Sequence, residues 1–149
     1  MRRILGTTLL VLALPLGAAA CGDDEGVSAI GDPPAPEVTL VSGTAAGGQV
    51  ADGVTVLDGR AAIRAYAGGF RGPLAGKVAS AATGFEVPPD AQLVAAVVAV
   101  GCDVPPDVDV VGEGAATTFV PARVPSPRQE CFAPVTTVAL AAVPQDGGE

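Results

Sequence analysis

Asp103, Asp107, Asp109 and Glu113 form the densest group of candidate oxygen ligands in this chain. Calcium is held by several carboxylate and carbonyl oxygens, and exported proteins meet it freely. The spacing is not that of an EF-hand loop, and Asp alternating with Val is also the ordinary solvent face of a β-hairpin. The four are metal candidates by residue type only, and no metal is assigned to them. Paired carboxylates can also hydrolyse glycosides, but one tyrosine and no tryptophan leave few aromatic platforms for a sugar. Histidine is absent. That excludes Ser-His and Cys-His nucleophiles and histidine-bearing zinc sites. Ser28, Ser42, Ser80 and Ser126 have no evident base. The chain has no phosphate-binding glycine loop, dinucleotide fingerprint or nucleophile elbow. Neither a catalytic residue nor a cofactor is expected.

Sulfur is the other reactive element, at Cys21, Cys102 and Cys131. Arg2 and Arg3 precede an apolar run over 4–16, followed by Gly17-Ala18-Ala19-Ala20 and Cys21. A basic start, a short apolar stretch and small residues before a cut mark an export signal. Pro15 and Gly17 interrupt the run, which argues against a membrane-spanning helix. The segment resembles the lipobox of bacterial lipoproteins, in which Leu, a small residue and Gly or Ala precede the cysteine. Ala18 stands where that pattern has Leu, and Ala18-Ala19-Ala20 also meets the Ala-x-Ala rule of ordinary secretory cleavage. The resemblance implies a signal peptide over 1–20, fatty acyl chains on Cys21, and anchoring at the outer face of a cell membrane. Free secretion is the alternative.

With Cys21 set aside as the lipid site, Cys102 and Cys131 remain, and in an exported protein they are expected to pair. No Cys-x-x-Cys is present, so a thioredoxin-like redox site is not expected. Loss of Arg2 and Arg3 with the signal leaves 6 basic against 16 acidic residues and moves the formal charge from -8 to -10. That sign disfavours nucleic acid as a partner and recruitment by anionic lipid headgroups. Val, Ala and Leu must build the core, with Phe70, Phe85, Phe119 and Phe132 as its largest pieces. Small side chains bury little area each, so the stability margin is expected to be thin.

The elements that position these groups follow from pattern. Residues 21–36 are acidic, then Gly- and Pro-rich, and read as a flexible tether. A single small domain is expected over 37–143, with a polar tail over 144–149. Strands are predicted over 37–42 and 54–57. Asp58 is placed as the N-cap of a helix with Ile63, Tyr66 and Phe70 on one face. Pro73 opens a second helix over 74–83 with an apolar face of Leu74, Val78 and Ala81, stopped by Gly84. The apolar run 92–101 reads as a central strand covered on both faces. A hairpin is predicted over 107–120, a surface loop over 122–130, and a last apolar strand over 135–143. If the two long strands lie antiparallel and adjacent, Cys102 and Cys131 fall at one end of the sheet, within the roughly 5.5 Å that a bridge needs.

This order predicts an α+β fold, with helices on one face of a mainly antiparallel sheet. The alternative is an all-β sandwich, should the Ala-rich middle not be helical. The second half, from PDAQLVAAVVAVGCDVP to ECFAPVTTVALAAVP, resembles lipoproteins of actinobacteria. Its layout is similar to the C-terminal domain of protease-complex accessory proteins of the PrcB type, without the Gly-Gly-Tyr element of that family. The functional expectation is a lipid-anchored, non-enzymatic domain that contacts another protein. Arg60 and Arg64 on the first helix and Arg123 and Arg128 in the loop are its candidate contact residues. The alternatives are a small-ligand- or calcium-binding surface lipoprotein and, third, a hydrolase.

Overall fold

The computed structural model describes residues 35–145. The expected signal, Cys21, nearly all of the expected tether and most of the tail lie outside the described residues. None of the described helices is long and apolar enough to cross a membrane.

The chain is α+β. Strand β1 (Val38–Thr44) and the short β2 (Thr55–Val56) precede helices α1 (Gly59–Ala67) and α2 (Pro73–Gly84). Then come β3 (Ala91–Gly101), the hairpin β4 (Val108–Val111) and β5 (Thr118–Pro121), and β6 (Val135–Pro144). Four strands form an antiparallel sheet in the order β1-β6-β3-β2. The helical middle overturns the all-β alternative.

The two long apolar runs take the two central positions because both their faces can be covered. On one face Leu93, Ala95 and Val97 of β3 and Val138 and Leu140 of β6 pack with Ile63, Phe70, Leu74 and Val78 of the helical layer. On the other face Val94, Ala96, Ala139, Ala141 and Val143 pack under Val108 and Phe119 of the hairpin. Hence all six residues of 93–98 are buried, with no alternation. β4 and β5 pair only with each other, as a separate two-stranded sheet that forms a third layer. One-sided patterning could not place them, because Val108 facing inward suits either a fifth strand or a lid.

Small residues let these layers close. A Cβ on Gly43 of β1 would lie 2.8 Å from the Cβ of Leu74, so this glycine permits α2 to rest on the strand. Gly112, at φ +88, turns the hairpin where a side chain would strike the Ala116 carbonyl. The fully buried stripe of α2 is Leu74, Val78 and Ala82, at spacing i, i+4, i+8, with Ala81 partly buried beside it against the same core. Asp58 does occupy the N-cap of α1, but its side chain makes no capping bond. Lys77 of α2 reaches the edge strand and donates to the Ser42 carbonyl at 2.9 Å, a lysine guard of the kind that discourages edge-to-edge pairing.

Tyr66 stacks edge-on against Phe70, with ring centroids 5.4 Å apart. Its hydroxyl is buried without a hydrogen-bond partner among the described residues. Burial pushes its pKa up to about 12. A pKa raised on folding means that stability is intact below the unfolded value, about 10, and is lost as pH rises toward 12. Tyr66→Phe is therefore expected to leave stability at pH 7 unchanged or raise it by up to ~1 kcal/mol. It should also shallow the alkaline loss in urea melts at pH 9 to 12; a melt series that superposes on wild type at pH 12 would refute this.

Candidate functional site

Residues that the sequence places apart meet at one end of the sheet. Gly101 of β3 and Thr44 of β1 both pair with Val135 of β6 there. The chain enters β1 at the opposite end, where Val38 pairs with Ala141 and Ala91 with Pro144. The two poles are separated by the length of the strands, roughly 20–30 Å.

Cys102 follows β3 and Cys131 precedes β6 by a few residues, and the antiparallel pairing of these strands brings the two together. They form a disulfide with Cα atoms 5.4 Å apart and 29 residues of separation. Beside it, Arg128 and Asp103 make a second closure. The Arg128 Nε donates to Asp103 Oδ1 at 2.7 Å, and the Arg128 backbone N–H donates to Oδ2 at 2.7 Å. The Arg128 Nη2 donates to the Cys102 carbonyl at 2.7 Å. One carboxylate thus fixes both the side chain and the backbone of Arg128. The Arg128 side-chain bond, and then its backbone N–H, hold the Asp103 carboxyl below the usual carboxylate range. With a depressed pKa, the clamp is complete at neutral pH and is lost as pH falls through that lowered value.

Phe132 stands directly after the bridge. The sequence places it in the core; the structure exposes it fully, at 113% of its reference area. The reason is local. Cys131 is tied to the end of β3, and the chain reaches β6 only at Val135, so Phe132 falls in the irregular link, outside both packed faces. An open hollow of about 720 Å³ lies beside it, lined by Cys102, Gln129, Glu130, Cys131 and Phe132. Val100 and Val104, 40% and 42% exposed, flank Cys102 in the chain. This pole holds the one aromatic ring that is fully exposed among the described residues. No protein-family model, curated protein or solved structure matches the chain.

The remaining predicted residues are dispersed. Arg60 and Arg64 are exposed on α1, where the Arg64 Nε donates to the Arg60 carbonyl at 3.3 Å. Arg123 is exposed in the loop after β5. Arg128 belongs to the clamp, although its side chain remains 66% exposed. Among the four acidic candidates, Asp103 is engaged by Arg128, and Asp107 Oδ1 accepts from the Val108 N–H at 2.8 Å. Asp109 and Glu113 are exposed on the hairpin. Among the described residues, no three acidic or cysteine side chains converge as a metal site would require. Cys21 lies outside the described residues. Sequence reasoning missed Phe132, for which its place after a predicted bridge and before Ala133-Pro134 was the available signal.

Proposed function

We propose that this chain is an extracytoplasmic, non-enzymatic docking domain, held at a membrane through acylated Cys21, that engages another protein with its disulfide-clamped pole. The observation that carries the reading is the solvent-exposed ring of Phe132 on a segment restrained by a covalent and an ionic closure. An aromatic side chain buries some 150–250 Å² when it docks, worth roughly 4–6 kcal/mol at 25 cal/mol per Å². Restraint before binding spares much of the ordering cost that a free loop incurs. Aromatic anchors in such settings dominate binding energy. The lack of histidine, of a nucleophile with a base, and of a cofactor motif supports a binding role over a catalytic one.

A photo-crosslinking amino acid at position 132, introduced in the native cell, is expected to give one discrete protein adduct. Phe132→Ala should weaken capture of that partner by at least ~30-fold, about 2 kcal/mol. It should leave the melting temperature unchanged, because the ring packs against little. Absence of a discrete adduct, or equal capture by the alanine variant, would overturn the proposal.

A further inference from the structure

Strand β1 has a partner on one side only. β6 pairs along Val38–Thr44, and β1 ends the order β1-β6-β3-β2. The register shows which backbone groups face away from β6. The Ala45 N–H donates to the Pro134 carbonyl at 2.9 Å, in line with the β1–β6 pairing. In an antiparallel ladder, residues bonded to one neighbour alternate with residues that face away from it. Thr39, Val41 and Gly43 therefore bond to β6, and Val38, Leu40 and Ser42 turn their N–H and C=O groups outward. The Ser42 carbonyl agrees: it accepts from Lys77 Nζ at 2.9 Å rather than from β6. Among the described residues, no other hydrogen bond reaches these outward groups.

Charge is split between the two ends of this edge. Lys77 stands at the Ser42 end. At the Val38 end, Glu37 and Glu86 are exposed and line a small hollow of about 190 Å³ together with Thr39 and Ala81. Lys77, Glu37 and Glu86 form no ion pair among the described residues. An edge with a cation at one end and carboxylates at the other is complementary to itself when turned by a two-fold axis.

We infer that the edge of β1 pairs with the same edge of a second copy of this chain, antiparallel and centred on Leu40. Leu40 then lies opposite itself and Val38 opposite Ser42, so the outward groups of the two copies bond to one another. The two-fold axis keeps both α2 helices on the same face of the joined sheet. It carries Lys77 of each copy to the hollow beside Glu37 and Glu86 of the other. Lys77 guards the edge against strands in general, because an ammonium beside the Ser42 carbonyl must be repaid by an anion. The second copy brings that anion in register, so the lysine selects the partner as well as excluding others.

The test uses the chain with Cys21→Ala, which removes the expected acyl site and the third thiol. Sedimentation and amide hydrogen exchange are followed from about 5 μM to about 1 mM, and a dimer with a Kd on the order of 100 μM is expected. At about 1 mM that dissociation constant leaves about one chain in five monomeric, so exchange at Val38, Leu40 and Ser42 should slow about fivefold. Thr39, Val41 and Gly43, already bonded to β6, should not change. Lys77→Glu and Glu37→Lys should each weaken the dimer about tenfold, and the double variant should return to within about threefold of the starting affinity. Ser42→Pro removes an outward N–H and no bond to β6, and should abolish pairing; the charge reversals, which lie on the surface, decide the matter if that variant folds poorly. Phe132→Ala should leave the dimer intact, which separates this contact from the disulfide-clamped pole. A monomer at about 1 mM would overturn the inference. So would outward amides protected equally at every concentration, which would assign the cover of this edge to residues 22–34 of the same chain. A dimer indifferent to both charge reversals, or one lost with Phe132→Ala, would overturn it as well.

Discussion

Cys102→Ala is expected to cost about 3.5 kcal/mol of stability, the chain-entropy value for closing 29 residues. For a domain of this size that corresponds to a fall in melting temperature on the order of 10–15 °C. The effect should be large relative to the whole. The sheet centre is built from alanine and valine, Phe132 contributes nothing to the core, and Tyr66 leaves a buried hydroxyl unpaired. The bridge also closes the chain that carries the hairpin, the cover of the second apolar face. Thermal melts of wild type, Cys102→Ala and Cys131→Ala should show the two variants falling together. The reduced wild type should behave like them. A melting temperature unchanged by either substitution would show that the bridge does not constrain the unfolded chain.

Cys21→Ala is expected to move the protein from the membrane fraction to the medium. The physical basis is the gain of about 0.8 kcal/mol for each methylene buried in the bilayer, so two acyl chains hold a protein for long periods while none leaves an acidic chain unattached. The remainder carries a formal charge of -10 once Arg2 and Arg3 are removed and 6 basic residues face 16 acidic ones, so headgroup attraction does not replace the lipid. Fractionation of cells, with intact mass of the processed chain, checks both location and acylation. Retention of Cys21→Ala in the membrane fraction would contradict the lipid anchor.

The long elements were legible because their signals are local and redundant. The run 92–101 is nearly all apolar and rich in β-branched valine, which suits a strand covered on both faces, and β3 is that strand. Pro73 at the first turn and Gly84 at the end bracket α2 by backbone chemistry alone. The pairing of Cys102 with Cys131 was expected because they are the two cysteines left once Cys21 is set aside, and the antiparallel long strands bring them to a Cα distance of 5.4 Å. Other features were illegible for a shared reason: each depends on which non-local surface a residue meets. Ala81 and Ala82 are indistinguishable until the sheet shows which side of α2 it covers. Phe132 is apolar in sequence but lies where the chain runs between layers. Asp103 and Arg128 are 25 positions apart, and only the closed loop makes them partners.

Composition and periodicity pointed to the α+β class ahead of an all-β sandwich, to the central strands and to the helical middle, and the cysteine count pointed to the bridge, because backbone preference and hydrophobic period act over neighbouring residues. The tertiary structure alone decided that the hairpin is a separate layer, that a carboxylate expected to face solvent clamps an arginine, and that one phenylalanine is left in water. Those outcomes turn on excluded volume and on competition among distant surfaces for the same cover, which no local pattern encodes.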